Sequence, residues 1–337
     1  MKEITLDKKT ELNILPSGLT DNLYSDFIKF LDAKPKTIAT YTRAIRQFYN
    51  FVKVRGIVNP TRETVLDFRK WLTQKNKPTT VQNYIVTVRL FFRWLEQQGL
   101  YKNIADKIKS PVISKEHKKD YLTSKQVKAL LNNIKLDNSE RGLRDYAVIA
   151  TMVVGGLRTI EIARSNLADL RNVGDDAVLF IQGKGRDEKT EYIKLPFYVE
   201  NAIRQYLKSR KVTDEQEPLF VSTSNNNFGS RLTTRSISGI VKSRLKQVGL
   251  NSSMLTAHSL RHTAGTLSLL NGGTIEETQQ LLRHTNINTT MIYLHHIDRA
   301  KNRSEELIAN AILHSCTLLC LCDELPMQFL IRANIQY

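Results

Sequence analysis

Residues 258–263 read HSLRHT, and residues 282–293 read LRHTNINTTMIY. The first segment opens a helical pattern predicted over Leu260–Leu270, because apolar residues recur there at helical spacing. Residues three apart share one face of a helix, so His258 and Arg261 are expected on the same face near a helix N-terminus. Backbone N–H groups at such an end favour an anion. The stretch therefore predicts a helical domain with a pocket suited to phosphate.

The chain around these segments has mostly helical patterns. Thr123 is predicted as the N-cap of a helix through Leu131, and an apolar helix should follow over Leu143–Val154. Further helical patterns cover residues 198–209, 236–248, 275–282 and 299–313. One strand pair is predicted, 177–181 with 191–195, and the turn between them presents Lys184. Residues 121–313 should thus form a mostly α domain with a small antiparallel β-sheet.

A separate run of apolar repeats covers residues 22–108, with breaks at Asn59-Pro60 and Lys77-Pro78. This pattern predicts a small domain of four or five helices. Residues 109–120 contain Ser110-Pro111 and lack apolar periodicity, so they are predicted to be a linker. Residues 1–21 form a short N-terminal extension, and residues 314–337 form an atypical C-terminal tail. The chain is therefore expected to be mainly α, with two domains.

The composition favours a polyanionic partner. The chain has 50 Lys+Arg against 33 Asp+Glu, a formal net charge of +17. Nucleic acid is the commonest partner of such a field, although a merely soluble basic protein would show the same charge. We expect no membrane partner, because no apolar stretch of about 20 residues and no signal sequence precede the tail. The three cysteines all lie in the tail, which fits a reducing, cytoplasmic location.

A further segment, Gly155–Glu161, places Arg158 just after an apolar helix. An arginine there serves either as a structural ion pair with Glu161 or as a phosphate clamp, and on its own the ion pair is the commoner role. Tyr293 taken alone would be an ordinary core or surface tyrosine. Neither residue reveals a function when it is considered separately.

Taken in order, six residues resemble the catalytic signature of the tyrosine recombinase family, which includes phage integrases and Xer-type proteins: Arg158, Lys184, His258, Arg261, His284 and Tyr293. The matching contexts are Gly-Leu-Arg-x-x-Glu, a Lys on a hairpin turn, His-x-x-Arg, and a His nine positions before the Tyr. Residues 40–41 and 78–81 are similar to the family's core-binding domain. The resemblance covers residues 22–313 and implies a helical core-binding (SAM-like) domain over 22–108 and a catalytic domain over 121–313.

The resemblance implies a site-specific DNA recombinase, either an integrase of a mobile element or a resolvase. Such an enzyme cleaves and rejoins DNA strands through a covalent 3'-phosphotyrosyl intermediate, here at Tyr293. Arg158 and Arg261 would clamp the non-bridging oxygens of the phosphate. Glu161 would orient Arg158 from behind.

The remaining signature residues have expected roles in proton transfer and phosphate binding. His258 and His284 would complete the phosphate cradle, and His258 is the candidate base for the Tyr293 hydroxyl. Lys184 would protonate the departing 5' hydroxyl, as the family's general acid does. A phosphotyrosyl bond conserves the energy of the phosphodiester, so we expect no cofactor and no metal.

The sequence departs from the family's pattern beside His284. Family members usually have Gly immediately before this His, whereas this chain has Arg283. If the position requires a positive φ, the arginine strains the turn; otherwise it would add a phosphate contact. Cys316, Cys320 and Cys322 are expected to belong to an appended tail rather than to a zinc site. His262, His295 and His296 are expected to be structural.

Two other functions fit parts of the pattern. One is a catalytically impaired DNA-binding protein of the same fold, and the other is an enzyme like a type IB topoisomerase or telomere resolvase. The complete signature argues against the first, and the compact two-domain layout argues against the second. The expected partners are double-stranded DNA, three further copies in a synaptic homotetramer joined through the helix at 299–313, and accessory DNA-bending or directionality factors.

Overall fold

The computed structural model describes residues 19–112, 120–183, 185–210, 212, 214–301 and 304–313, with the backbone alone over 295–301. The chain divides into two compact units, residues 1–116 and residues 117–337. Among the described residues, no helix is both long enough and apolar enough to cross a membrane. The predicted tail at 314–337, with its cysteines, lies outside the described residues, as does most of the N-terminal extension.

The first unit contains four described α-helices: α1 (Asp21–Phe30), α2 (Pro35–Val54), α3 (Arg62–Lys75) and α4 (Pro78–Gln97). Pro35 and Pro78 occupy the first position of α2 and α4, where a missing N–H costs nothing and a fixed φ assists the helix. The core is rich in phenylalanine rings packed edge to face, including Phe48 against Phe68 and Phe92. The predicted helical unit and both predicted breaks are confirmed.

The second unit is mostly helical. Its helices are α5 (Ser124–Lys135), α6 (Glu140–Val154), α7 (Thr159–Arg164), α8 (Phe197–Ser209), α9 (Thr234–Gln247), α10 (Ala257–Leu270), α11 (Ile275–Leu282), α12 (Asn288–Lys301) and α13 (Ser304–Leu313). Thr123 caps α5 as predicted, since its side chain accepts a hydrogen bond from the Gln126 N–H at 3.3 Å. Leu260 and the apolar faces of α6 and α8 lie in one core.

The sheet is antiparallel, in the order β1-β2-β3, with β1 at Leu170–Val173, β2 at Asp176–Ile181 and β3 at Glu191–Lys194. The β2–β3 hairpin is the predicted strand pair, and Leu179 pairs with Ile193 in it. The sequence prediction missed β1. Three of its four residues are exposed, so an edge strand of this kind lacks the apolar alternation that marks a half-buried strand.

The prediction for the C-terminal helix was wrong in its limits. One helix was expected over residues 299–313, but α12 begins at Asn288 and α13 ends at Leu313. Four of the five residues over 285–289 are Thr or Asn, with Ile287 as the exception, so apolar periodicity becomes clear only from Met291 onward and the start of α12 is hidden. Tyr293 therefore lies on a helix rather than in a loop.

A buried ionic network joins the first half of α6 to α9. Asp145 accepts hydrogen bonds from Arg144 at 2.6 Å and from Arg244 at 2.8 Å, and Arg244 also contacts Asp137. The hydrogen bonds from Ser139 and Arg244 lower the pKa of Asp137. Buried charges persist when each is paired, so this network fixes the N-terminal half of α6 against α9.

Candidate active site

The loop after α6 turns at Gly156 and delivers Arg158 to the start of α7. Gly156 has a φ of +58°, and an added Cβ would lie 2.8 Å from Cδ2 of Leu282, so both conformation and space require glycine here. The fully buried Glu161 carboxylate accepts hydrogen bonds from the backbone N–H of Arg158 at 2.8 Å and from its Nη1 at 2.9 Å. The Arg158 side chain is still 28% exposed. The ion pair is thus present, and part of the guanidinium reaches the surface.

Arg261 lies on the second turn of α10 and is only 1% exposed. Its Nη1 donates to the Gly156 carbonyl at 2.6 Å, and its Nη2 donates to the Leu282 carbonyl. Burial and the nearby Arg158 guanidinium lower the pKa of Arg261 to about 9, against the opposing effect of Glu161. The side chain is therefore cationic at neutral pH, and it ties the loop after α6 to the end of α11.

Arg283 ends α11 in the left-handed conformation, with φ +52° and ψ +49°. For a residue with a Cβ this conformation costs about 1–2 kcal/mol. The strain predicted for Arg283 if its φ is positive is therefore confirmed by the backbone. The phosphate contact was the alternative for a turn without positive φ, and the guanidinium instead turns inward: it is 7% exposed and donates to the Glu161 carboxylate at 3.0 Å and to the carbonyls of Leu281 and Gly156. Burial lowers the pKa of Arg283, and Glu161 opposes this.

Tyr293 lies on α12 and packs against α10, with 4% of its surface exposed. Its ring is 5.4 Å from the ring of His262 and 6.4 Å from that of His284, nearly parallel to the latter. Leu282 and Ala264 complete a small apolar cluster around it. The tyrosine is held on three sides, so its hydroxyl has little positional freedom.

The close approach of α12 to α10 depends on Gly265. A Cβ added there would lie 2.8 Å from Cδ1 of Leu282 and 3.3 Å from Cε2 of Tyr293. Leu282 lies between Gly265 and Gly156, and a Cβ added to either glycine would come within 2.8 Å of one of its methyl carbons. The two glycines therefore set the position of the tyrosine ring through one shared leucine.

Burial raises the pKa of Tyr293, while the Arg261 and Arg158 guanidinium groups lower it. Burial is the larger effect, so the phenol keeps its proton at neutral pH in the absence of DNA. The two arginines are placed to stabilise the phenolate once the proton leaves. This opposition is typical of a nucleophile that is activated only when its substrate is bound.

The two signature histidines differ in their surroundings. Burial and the cationic Arg261, Arg158 and Arg283 lower the pKa of His284 to about 4, so its imidazole is neutral at pH 7. Nδ1 of His284 lies 2.9 Å from Oγ1 of Thr290, which orients the ring. His258 is exposed on the first turn of α10, and its ring packs 4.6 Å from that of His262.

Lys184 lies outside the described residues, so its placement stays a prediction. The flanking hairpin is described, and a cleft lies between it and α11, lined by Arg186, Thr190 and Tyr192 on one side and by Gln279, Gln280 and His284 on the other. The hairpin that carries Lys184 therefore borders the site that contains His284.

Five of the six signature residues are thus gathered in the second unit, together with Glu161. From the sequence, no role in this site was predicted for His262 or Gly265, although His262 packs against Tyr293 and a Cβ on Gly265 would press on the Tyr293 ring. Arg283 was visible as a departure from the family's pattern, but its inward direction was not. Among the described residues, no group of three or more His, Cys, Asp or Glu side chains is arranged to hold a metal ion.

Comparison with known proteins finds a matching family model for each of the two units. Residues 120–299 match a family model described as "Phage integrase family", and residues 21–102 match "Phage integrase, N-terminal SAM-like domain". The helical first unit is therefore SAM-like, and the prediction of fold class is confirmed.

The chain is similar to tyrosine recombinases over most of its length. The chain is 29% identical over 320 residues to tyrosine recombinase XerC of Caldanaerobacter subterraneus subsp. tengcongensis, covering 86% of this chain and 87% of that protein. It is 30% identical over 268 residues to XerC of Pelobacter propionicus, covering 77% and 85%.

Solved structures share the fold. A XerH site-specific recombinase in a post-cleavage complex with palindromic difH substrate matches with a TM-score of 0.67 at 19% identity, covering 89% of this chain and 93% of that one. A lambda integrase dimer bound to a COC' core site matches with a TM-score of 0.63 at 16% identity, covering 80% and 96%.

Proposed function

Because this chain belongs to the phage integrase family and is a site-specific tyrosine recombinase, we propose that Tyr293 is its nucleophile. The Tyr293 oxygen attacks a backbone phosphate of double-stranded DNA, forms a 3'-phosphotyrosyl bond and releases a 5' hydroxyl. One observation carries the assignment: the buried Tyr293 ring lies 6.4 Å from the ring of His284, nearly parallel to it, on a helix that packs against α10, which carries Arg261.

Arg158 and Arg261 stabilise the charge that develops on the phosphate. Arg158 has exposed surface to offer to a phosphate, and Glu161 holds its guanidinium from behind. Arg261 directs two of its N–H groups to carbonyls, out of the five that a guanidinium carries. Preorganised cations in a site that excludes water are among the largest contributions to catalysis of this kind.

The histidines act on protons and on phosphate oxygens. His284, with its lowered pKa, offers a neutral ring nitrogen or its N–H to the phosphate. His258 is the candidate base, because it is exposed and lies three residues before Arg261 on the same helix. Lys184, by resemblance, protonates the leaving 5' hydroxyl. Rejoining reverses these transfers and uses the energy held in the phosphotyrosyl bond, so the cycle needs neither ATP nor a metal.

The finer organisation follows from the same reasoning. The DNA-bound relatives support double-stranded DNA as the partner, in keeping with the net charge of +17. We place the domain boundaries at 22–108, 109–120 and 121–313. Exposed Leu307, Ile308 and Ile312 on α13 support docking onto a neighbouring copy in a synaptic homotetramer. We infer a cytoplasmic location, because the substrate of the enzyme is DNA, and accessory DNA-bending or directionality factors would act with it there.

A covalent-adduct assay tests the nucleophile. The full chain, its Tyr293→Phe variant and a Tyr198→Phe control are incubated in EDTA with nicked DNA from the flanks of the chain's own gene. Tyr198 is exposed on α8 and belongs to no part of the site. We expect an SDS-stable adduct with the wild type and the control, and none with Tyr293→Phe although it still binds DNA. An adduct with Tyr293→Phe would show that another residue is the nucleophile.

A further inference from the structure

Arg283 combines an unfavourable backbone with a buried guanidinium whose Nη1 and Nη2 donate to one carboxylate and three carbonyls, while its buried Nε has no partner among the described residues. Its φ of +52° is a conformation that favours glycine, and Lys107 is the other described residue with a side chain that adopts it. Lys107 is exposed, whereas the guanidinium of Arg283 is buried. Backbone strain of this kind persists where the surroundings over-determine the residue, and here the surroundings are the groups that the guanidinium binds.

Two of the four groups that accept hydrogen bonds from Arg283 also accept hydrogen bonds from Arg158 or Arg261. Nη2 of Arg283 donates to Oε2 of Glu161 at 3.0 Å, while Oε1 of the same carboxylate receives Nη1 of Arg158 at 2.9 Å. Nη2 of Arg283 also donates to the Gly156 carbonyl at 3.1 Å, which receives Nη1 of Arg261 at 2.6 Å. The guanidinium thus touches one partner of Arg158 and one partner of Arg261.

We propose that Arg283 is a positioning residue, which fixes the Glu161 carboxylate and the Gly156 carbonyl and through them aims Arg158 and Arg261 at the scissile phosphate. This inference rests on the proposed function, because it takes those two arginines to be the phosphate clamp. Arg283 itself need not touch DNA, since its side chain points into the protein.

The bonding geometry explains why an arginine suits this position. A planar fork can bind a carboxylate and carbonyls at once, and Nη1 of Arg283 also reaches the Leu281 carbonyl at 2.5 Å. An ammonium would offer the same charge from a single point. The arginine also adds a third cation around one buried carboxylate, which raises the positive potential where a phosphate would arrive.

The test compares Arg283→Gly and Arg283→Lys with two controls in the full chain. Arg283→Gly relieves the backbone and removes the guanidinium, and Lys107→Gly relieves the same backbone conformation in the first unit. Arg210→Ala removes a buried arginine of the second unit that binds Glu217 and the Pro218 and Leu219 carbonyls away from the site. Two quantities are measured with nicked DNA: the dissociation constant, and the first-order rate of adduct formation at saturating DNA.

We expect Arg283→Gly to form the adduct about 10- to 100-fold more slowly at saturation, as small misplacements of catalytic groups do. Its dissociation constant should stay within about twofold of wild type, because the guanidinium is buried away from phosphate. Arg283→Lys should recover part of the rate, and both controls should cleave like the wild type.

The alternatives are distinguishable. A wild-type rate for Arg283→Gly, or an equal fall in Arg210→Ala, would overturn the positioning role. If Arg283→Gly does not fold, the lysine variant decides, and a wild-type rate there overturns the proposal. Failure of the wild type to form an adduct, or an adduct with Tyr293→Phe, would instead refute the proposed function on which the inference rests.

Discussion

Replacing Glu161 with Gln should destabilise the second unit far more than loss of an ordinary ion pair. The carboxylate is fully buried and accepts three hydrogen bonds, two from Arg158 and one from Arg283. A glutamine has one carbonyl oxygen and one NH2 group, so in either orientation an NH2 group faces a donor. At least one charge-assisted bond is lost, and two guanidinium groups are left without a counter-charge.

The magnitude follows from these losses. A hydrogen bond to a charged group contributes about 1.5–3 kcal/mol, and breaking a buried ion pair costs about 3–5 kcal/mol. Because Arg158 is partly exposed, water solvates its guanidinium in the variant and reduces the cost of the lost ion pair. We therefore expect the free energy of unfolding of the second unit to fall by about 2–4 kcal/mol.

The assay must separate the two units. Trp71 and Trp94, the two tryptophans of the chain, both lie in the first unit, so their fluorescence in urea reports that unit alone and should be unchanged. Hydrogen exchange of the slowest amides of α6 and α10 reports the second unit. The control is Glu200→Gln, which removes a surface pair with Arg204 on α8, where the side chains are 23% and 55% exposed.

The control variant should lose only about 0.3–0.5 kcal/mol. If Glu161→Gln loses no more than Glu200→Gln does, the buried carboxylate does not hold the arginines as described. If tryptophan fluorescence in urea shows that the first unit loses stability to the same extent, the effect of Glu161→Gln is not confined to the site.

Two further predictions concern the surroundings of Tyr293. The pKa of His284 is about 4 in the folded chain and near 6.5 when unfolded, so the unfolded chain binds more protons between these values. The stability due to neutral His284 is complete above pH 6.5 and is lost as the pH falls toward 4. In urea unfolding between these values, the free energy of unfolding of His284→Gln should therefore depend less steeply on pH than that of the wild type. The difference in slope should be less than about 1 kcal/mol per pH unit, since the ring is half-buried. Equal slopes would refute the assignment. Gly265→Ala should slow adduct formation about 10- to 100-fold, because the added Cβ displaces Leu282 and the Tyr293 ring. The control is Gly239→Ala, which lies in open space on α9 and should leave the rate unchanged. Equal rates for the two variants would show that the close packing around Gly265 is dispensable.

Local patterns in the sequence determined most of the helices. Apolar periodicity and capping residues act within one or two turns, so α11 was predicted with its observed limits and Thr123 was identified as a cap. The two domains and the SAM-like character of the first were also predictable. The edge strand β1 was not, because exposed residues carry no periodic signal.

The order of the signature residues was likewise readable from the sequence, but their arrangement was decided by the tertiary structure. The burial of Tyr293, the requirement for Gly265, and the inward turn of Arg283 onto Glu161 each depend on contacts between α6, α10, α11 and α12. Residues 283 and 161 are far apart in the chain, and a sequence pattern reports only near neighbours. Packing alone decided that the arginine beside His284 binds the protein's own carboxylate and carbonyls.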